Sequence, residues 1–264
     1  GAAGGATEAY DLGHALADEC SAVGVHISFS PVLDVNTNPN NPIIGARSFG
    51  SDPDLANELG VALVEGLQDK GVLACGKHFP GHGDTYQDSH KTLPKVDRTP
   101  SELMEVDWVP FKGAIDAGVG AIMIAHLNIP FLEPSGKPTS LSRKVIQEIL
   151  RDQWGYEGLV ITDALNMKGA AAFAPPGELE LAAFTAGNDI LLFPMNVPKA
   201  TKVFRNALAK DKISIRSLDE RVRRILVAKS NCRAHADWLE AQKSDDPTLQ
   251  TSEHDSFERE DNNQ

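Results

Sequence analysis

The densest group of chemically capable side chains lies between Lys77 and His90. These fourteen residues hold three histidines, two aspartates and one lysine. Pro80, Gly81 and Gly83 disfavour a regular element, so the segment is predicted to be a loop that leaves a strand. Acids and bases concentrate in this way at active sites, although a polar surface loop is the alternative.

Within this loop, Asp88 and His90 are separated by one residue. A carboxylate at that spacing can hold one imidazole nitrogen and raise the basicity of the other. His90 is therefore a candidate general acid/base, with Asp88 as its partner. The D-x-H pattern is common by chance and carries little weight alone.

A second candidate, Asp163, directly follows the apolar run Gly158–Thr162. A carboxylate fixed at a strand end can act as a nucleophile, but it can equally cap a following helix. A third segment, rich in Asn and Pro, follows another apolar run and contains Asp34, with Arg47 beyond it. Its polar groups could bind sugar hydroxyls, or Asx turns could stiffen the loop.

These residues require a scaffold, and the hydrophobic pattern predicts one. Apolar, β-branched runs typical of buried parallel strands occur at Val25–Leu33, Val72–Lys77, Ala121–Ala125, Gly158–Thr162 and Asp189–Phe193. Polar residues follow these runs at Asp34, His78, His126, Asp163 and Asn196. Active sites of α/β barrels gather at the carboxyl ends of strands, so the pattern favours a barrel over a doubly wound sheet.

Helical periodicity separates the runs. Apolar residues recur at helical spacing in two stretches, Leu55–Leu67 and Val145–Leu150, and Ser142 is a plausible N-cap for the second. Ser217 and Glu220 form a capping-box pattern before a third stripe. Five strand–helix units are recognisable, whereas this barrel type needs eight. We therefore expect an N-terminally truncated barrel over 1–230.

Composition limits the functional classes. Hydrophobic residues make up 41% of the 264 residues, and the formal net charge is −12. The negative charge argues against nucleic acid as a partner, and no apolar run is long enough to span a membrane. Residues 237–264 contain nine Asp/Glu against two Lys/Arg, so 231–264 is predicted to be a disordered tail or linker.

The motifs together resemble glycoside hydrolase family 3, in its bacterial β-N-acetylglucosaminidase branch. The resemblance rests on K-H-F-P-G-H-G-D-T-x-x-D-S-H, with P-V-L-D-V-N and I-G-x-R-S-F before it and I-T-D-A-L-N-M after it. It extends over about residues 8–229. It implies a TIM-barrel-type α/β domain, a carbohydrate substrate, no cofactor and no metal, with a C-terminal domain in the longer parent.

The resemblance also assigns roles. Asp163 stands at the position of the nucleophile in a retaining mechanism, and His90, with Asp88, at that of the acid/base. Substrate contacts are implied for the remaining matched positions: Arg47, Lys77, His78, His126, Met167 and Asp34. Relatives mostly release N-acetylglucosamine from cell-wall muropeptides or chitin fragments. His82 and Asp84 are expected to shape the loop.

One departure from the family pattern affects the expected activity. Relatives carry a D-x-E-G-G-x-V strand end before the region where this sequence starts, and its Asp binds the sugar. That motif is absent here. We therefore expect residues 1–264 alone to show weak or no activity and exposed strand edges. A cytoplasmic or an exported location depends on whether a signal peptide precedes the sequence.

Other readings remain open from the sequence. A metal-dependent hydrolase could use the loop's nitrogen and oxygen ligands, which are His78, His82, Asp84, Asp88 and His90. A non-catalytic sugar-binding fragment is a second alternative. A β-glycoside phosphorylase or a β-glucosidase of the same family is a third.

Overall fold

The computed structural model describes residues 4–88 and 91–232. The strands are β1 (Ile27–Ser28), β2 (Leu73–Phe79), β3 (Ala121–Ile124) and β4 (Leu159–Thr162). The α-helices are α1 (Ala6–Ala22), α2 (Pro53–Asp69), α3 (Pro100–Glu102), α4 (Val109–Asp116), α5 (Lys168–Ala171), α6 (Glu178–Ala186), α7 (Val197–Ala209) and α8 (Ile215–Ser230). Two π-helices (Leu103–Asp107, Lys144–Gln153) and two 3₁₀ turns (Gly45–Arg47, Thr139–Leu141) complete the described elements.

The four strands form one parallel sheet in the order β1-β2-β3-β4. This order is the order along the chain, and helices lie between successive strands. A doubly wound sheet would reverse its order at a switch point. The unreversed order is that of a barrel.

The first predicted strand, Val25–Leu33, is wrong as a continuous element. Regular pairing is confined to Ile27–Ser28, with one further bridge from Val32 to Lys77. Pro31 has no N–H to donate, which interrupts the ladder. The segment still follows β2, because Lys77 N–H donates to the Pro31 carbonyl at 3.1 Å.

The fifth predicted strand, Asp189–Phe193, is reduced to a bridge between Ile161 and Ile190. Side chains replace part of the ladder here: the Asp189 carboxylate accepts from Val160 N–H at 2.9 Å, and Thr162 Oγ1 accepts from Leu192 N–H at 2.9 Å. β1 and this segment are the two edges of the sheet within the part of the chain that the structure describes, and Ile27 and Ile190 at these edges are half-buried.

The sheet has two different faces because side chains alternate along each strand. One face packs on the helices through the large core cluster, which includes Ile122, Ile124 and Val160. The other face carries a small cluster against which Ile225 and Ala228 of α8 pack: Cys75, Ala121, Met123, Leu159 and Ile161. Lys77 and Asp163 come two residues after members of the small cluster, so the alternation directs them to the same face.

Helix α8 is tied to the strands by a buried carboxylate. Asp189 accepts from Arg151 at 2.7 Å and pairs with Arg224 at 2.5 Å. The predicted capping box at Ser217 is wrong: the helix begins one turn earlier, where Ser214 Oγ accepts from Ser217 N–H at 3.0 Å. The predicted helix after Ser142 is confirmed, and Ser142 Oγ accepts from Val145 N–H at 3.4 Å.

The pairing of α1 with α2 depends on glycine. A Cβ added at Gly66 would lie 2.2 Å from the Tyr10 carbonyl oxygen, inside any permitted contact. We therefore expect Gly66→Ala to lower the free energy of unfolding by about 1–3 kcal/mol through overpacking. Urea denaturation measures this. Glu65→Ala, on the exposed face next to it, is the control, and an equal effect of both changes would contradict the interpretation.

Within residues 4–88 and 91–232, no helix combines the length and the apolarity needed to cross a membrane. The predicted acidic tail, 231–264, lies outside the described residues apart from its first two positions.

Candidate active site

A cavity of about 390 Å³ opens at the carboxyl ends of the strands. Its volume falls in the range of roughly 300–1,000 Å³ usual for small-molecule sites. Five of the predicted site residues line it: Arg47, Lys77, His78, Asp163 and Met167. Its other described lining residues are Phe29, Ile43, His82, Met123, Ala164, Asn166, Leu192 and Phe193. Residues that are distant in sequence thus meet at the carboxyl ends of the strands, where α/β barrels have their active sites.

Asp163 follows β4 and is half-buried at the cavity wall. Its Oδ1 accepts from the neighbouring Ala164 N–H at 2.8 Å, and its own N–H donates to the Ile124 carbonyl at 2.9 Å. The next helix, α5, begins at Lys168 after Met167. Asp163 is therefore not a helix cap, and its carboxylate faces the cavity.

Two cationic side chains, those of Lys77 and Arg47, line the same cavity as the Asp163 carboxylate. Lys77, on β2, is half-buried, and Arg47 is exposed with its Nη1 donating to the Ile43 carbonyl at 3.2 Å. Burial, and then repulsion from Arg47, lower the pKa of Lys77, while Asp163 and Asp34 oppose this shift. Both side chains can donate hydrogen bonds to hydroxyl groups in the cavity.

Asp34 is not among the residues that line the cavity, so its expected contact with substrate stays a prediction. It is fully buried, and its Oδ2 accepts from His78 Nδ1 at 2.7 Å and from His78 N–H at 3.1 Å. Its Oδ1 accepts from His82 N–H at 2.7 Å. Burial alone would raise the pKa of Asp34, but the two histidines hold it below its ordinary value. Asp34 therefore positions both histidines.

His126 is also placed behind the wall. It is fully buried; its Nε2 lies 3.0 Å from the Ala164 carbonyl and its Nδ1 2.7 Å from Ser140 Oγ. Since a carbonyl only accepts, Nε2 carries the proton and Nδ1 accepts from Ser140. Burial lowers the pKa of His126, which favours this neutral form. The side chain thereby holds the backbone next to Asp163.

Met167 and Asn196 follow different strand ends. Met167 is nearly buried and lines the cavity at the start of α5. Asn196 instead caps α7, because its Oδ1 accepts from Lys199 N–H at 2.9 Å. Among the polar residues that follow the predicted strands, Asn196 is thus a helix cap and does not line the cavity.

The loop after β2 is held down along its first half. Asn41 Nδ2 donates to the His82 carbonyl at 2.8 Å, and Asn38 Nδ2 donates to the Thr85 carbonyl at 2.9 Å. Asp88 lies farther along, where its carboxylate is 3.7 Å from Lys91 Nζ, and it does not line the cavity. His90 lies outside the described residues, so its role as acid/base stays a prediction.

Within the described ranges 4–88 and 91–232, no group of three or more His, Cys, Asp or Glu side chains is arranged to hold a metal ion. His78 Nδ1 is bound to Asp34, and His82 Nδ1 lies 2.8 Å from Thr85 Oγ1. These contacts fix the orientation of the two imidazole rings.

Sequence reasoning missed several wall residues. His82 was expected only to shape the loop, yet it also lines the cavity. Phe29 and Phe193 contribute apolar surface, and Phe193 adopts a left-handed φ of 46°. In the sequence, the signal for these two wall residues was an aromatic side chain within a predicted strand. Larger clefts, of about 890 and 760 Å³, lie elsewhere and hold none of the predicted site residues.

Comparisons with known proteins place this geometry in context. A family model described as the glycosyl hydrolase family 3 N-terminal domain matches residues 1–228. The chain is 36% identical to a beta-hexosaminidase A from Pseudoalteromonas piscicida, over 82% of this chain and 40% of that protein.

Solved structures agree. A family 3 beta-N-acetylglucosaminidase from Paenibacillus sp. str. FPU-7 superposes with a TM-score of 0.82 and 40% identity, covering 86% of this chain and 44% of that one. A beta-glucoside phosphorylase, BglX, gives 0.81 and 33%, covering 86% and 42%. The chain thus spans less than half the length of each of these three proteins. The likeness confirms the predicted TIM-barrel-type α/β class, of which the four strands form a part.

Proposed function

The chain belongs to glycosyl hydrolase family 3, and we propose that it carries the nucleophile and the acid/base of a retaining β-N-acetylglucosaminidase. The observation that carries this proposal is the cavity at the strand ends, in which the Asp163 carboxylate shares a wall with Lys77, Arg47 and His78. The similar proteins named beta-hexosaminidase and beta-N-acetylglucosaminidase support N-acetylglucosamine as the sugar released.

The reaction proceeds in two displacements. The Asp163 carboxylate attacks the anomeric carbon, and the bond to the leaving oxygen breaks as His90 protonates that oxygen. This forms a glycosyl ester on Asp163. Water then gives a proton to His90 and attacks the same carbon, which breaks the ester and releases the sugar with its configuration retained.

The remaining wall residues orient the sugar. Arg47 and Lys77 donate to its hydroxyls, and His78 is held by Asp34 in one ring orientation. His126 fixes the backbone beside the nucleophile. The acidic partner of His90 is Asp88, which lies two residues before it. Holding the substrate in an attack geometry is a substantial part of catalysis.

The test compares nitrophenyl β-N-acetylglucosaminide with nitrophenyl β-glucoside, using the protein with all the segments it naturally carries. We expect the N-acetylated substrate to be cleaved faster, free N-acetylglucosamine to be the product, and a chelator to have no effect. Phosphate is added in parallel because a phosphorylase is among the similar structures. A sugar phosphate as main product, a preference for the glucoside, or binding without turnover would each contradict the proposal.

A further inference from the structure

A cluster of charges lies under the loop after β2 and is not used by the proposed reaction. Arg98 is at its centre, with its side chain only 11% exposed. Its Nε lies 3.0 Å from Asp107 Oδ2 and 3.8 Å from Asp84 Oδ2, and its Nη2 donates to Thr37 Oγ1 at 2.6 Å. We call these four residues the Arg98 cluster.

The Arg98 cluster joins three separate parts of the chain. Asp84 belongs to the loop after β2, Thr37 to the loop after β1, and Asp107 ends a π-helix. Thr37 Oγ1 donates to Asp84 Oδ1 at 3.2 Å while it accepts from Arg98. Arg98 thus links the loop after β2 to the loop after β1 and to the π-helix by polar contacts.

Packing adds a second contact between the same loop and the cluster. Gly81 has a left-handed φ of 128°, and a Cβ at this position would lie 2.7 Å from Asp107 Cβ. The loop backbone therefore rests directly on Asp107. Only glycine permits both this conformation and this approach.

Asp107 is costly to keep as a carboxylate. Burial, and with it the carboxylates of Asp84, Asp34 and Glu102, raises the pKa of Asp107 to about 7 against the attraction of Arg98. Asp107 Oδ2 and Arg98 Nε lie 3.0 Å apart. Neither atom makes a hydrogen bond within the described part of the chain. A buried ion pair adds little to the free energy of unfolding, because desolvation of the two charges offsets their attraction. The pair is better explained as specifying one arrangement of the loop.

We propose that Arg98 and Asp107 are positioning residues, which hold the loop so that the acid/base farther along it reaches the leaving oxygen. Asp84 lies four residues before Asp88 and six before His90. The inference rests on the proposed function for the identity of the acid. Loss of the pair lets the loop shift, and proton transfer then suffers more than the attack by Asp163.

The test uses aryl β-N-acetylglucosaminides whose leaving groups differ in acidity. A poor leaving group needs a proton from the acid, whereas dinitrophenolate leaves without one. For Asp107→Asn we expect kcat/KM to fall about tenfold or more on the poor leaving group and by less than about twofold on the dinitrophenyl substrate, since general acid catalysis is worth roughly 10²–10⁴-fold. Glu105→Gln, an exposed carboxylate on the same turn, is the matched control and should leave both rates unchanged.

Two further variants make the outcome decisive. Arg98→Lys keeps the charge but cannot contact Asp107 and Thr37 together, so it should show the same selective defect if Asp107→Asn folds poorly. His90→Ala is the reference for complete loss of the acid. Equal losses on both substrates, or no loss, in the Asp107 and Arg98 variants would overturn the positioning role. A selective defect in those variants but not in His90→Ala would retain it and would instead refute His90 as the acid.

Discussion

Asp163→Asn is expected to lower kcat/KM for N-acetylglucosaminide hydrolysis by about 10⁴–10⁶-fold, the range of losses when a residue of a covalent catalytic unit is removed. An amide oxygen is too weak a nucleophile to form the glycosyl ester. The substitution should spare the fold, because Asp163 is half-buried and its one described side-chain contact is with Ala164 N–H, which an Asn oxygen can also accept.

The control for this variant removes the same charge elsewhere. Asp152→Asn lies on the exposed surface, where the carboxylate accepts only from Gln147 among the described contacts. We expect its rate to match that of the unmodified protein. Retention of a tenth or more of the activity in Asp163→Asn, with an unchanged melting temperature in both variants, would remove Asp163 from the chemistry.

Asp34→Asn is expected to have the largest effect on stability. The carboxylate accepts from two backbone N–H groups and one imidazole N–H while fully buried. An amide presents one oxygen and one NH₂ group, so at least one of these donors would face another donor. Leaving a buried donor without an acceptor costs about 1–3 kcal/mol in the free energy of unfolding, and more where a charged group is involved. Activity should fall as well, because His78 and His82 lose their support.

The pH dependence of that loss follows from the direction of the pKa shift. The pKa of Asp34 in the folded protein lies below its ordinary value of 3.8. A lowered pKa means that the carboxylate stabilises the fold fully above pH 3.8, and that this contribution disappears as the pH falls through the lowered pKa. Urea denaturation should therefore show a large difference between the protein and Asp34→Asn at pH 7 and a smaller one below about pH 4.

Asp97→Asn provides the control for the Asp34 measurement. Asp97 is exposed and pairs with Lys95 at 2.7 Å on the surface. Such pairs contribute about 0–1 kcal/mol. A difference below about 1 kcal/mol for Asp34→Asn, or one that does not shrink in acid, would show that Asp34 does not hold the two histidines as a carboxylate.

Local patterns predicted the scaffold well where the elements are regular. The runs that became β2, β3 and β4 are short and apolar, and their alternation placed Lys77 and Asp163 on one face. The broken first strand was harder to predict, since Pro31 interrupts an otherwise suitable run. Ser217 has the side chain of a cap, but Ser214 lies one turn earlier and accepts from its N–H.

The arrangement around the histidines could not be predicted from local patterns. Asp34 and His78 are separated by 44 residues, and nothing in either segment specifies that the carboxylate lies under the cavity. Asp34 and His78 each follow a predicted strand, so the sequence predicted that these two residues lie near one another. Which side chain lines the wall and which supports it depends on packing between segments, as the buried positions of Asp34 and His126 show.

In the proposed mechanism, Asp163 becomes covalently bound to the sugar. Slowing the second step with a fluorinated N-acetylglucosaminyl fluoride should accumulate the ester on the natural protein, and tryptic digestion then isolates residues 152–168. This peptide contains three carboxylates, those of Asp152, Glu157 and Asp163. We predict one sugar adduct per chain, located on Asp163 by fragmentation and absent from Asp163→Asn. An adduct on another carboxylate, or complete turnover of the reagent without any adduct, would contradict the account.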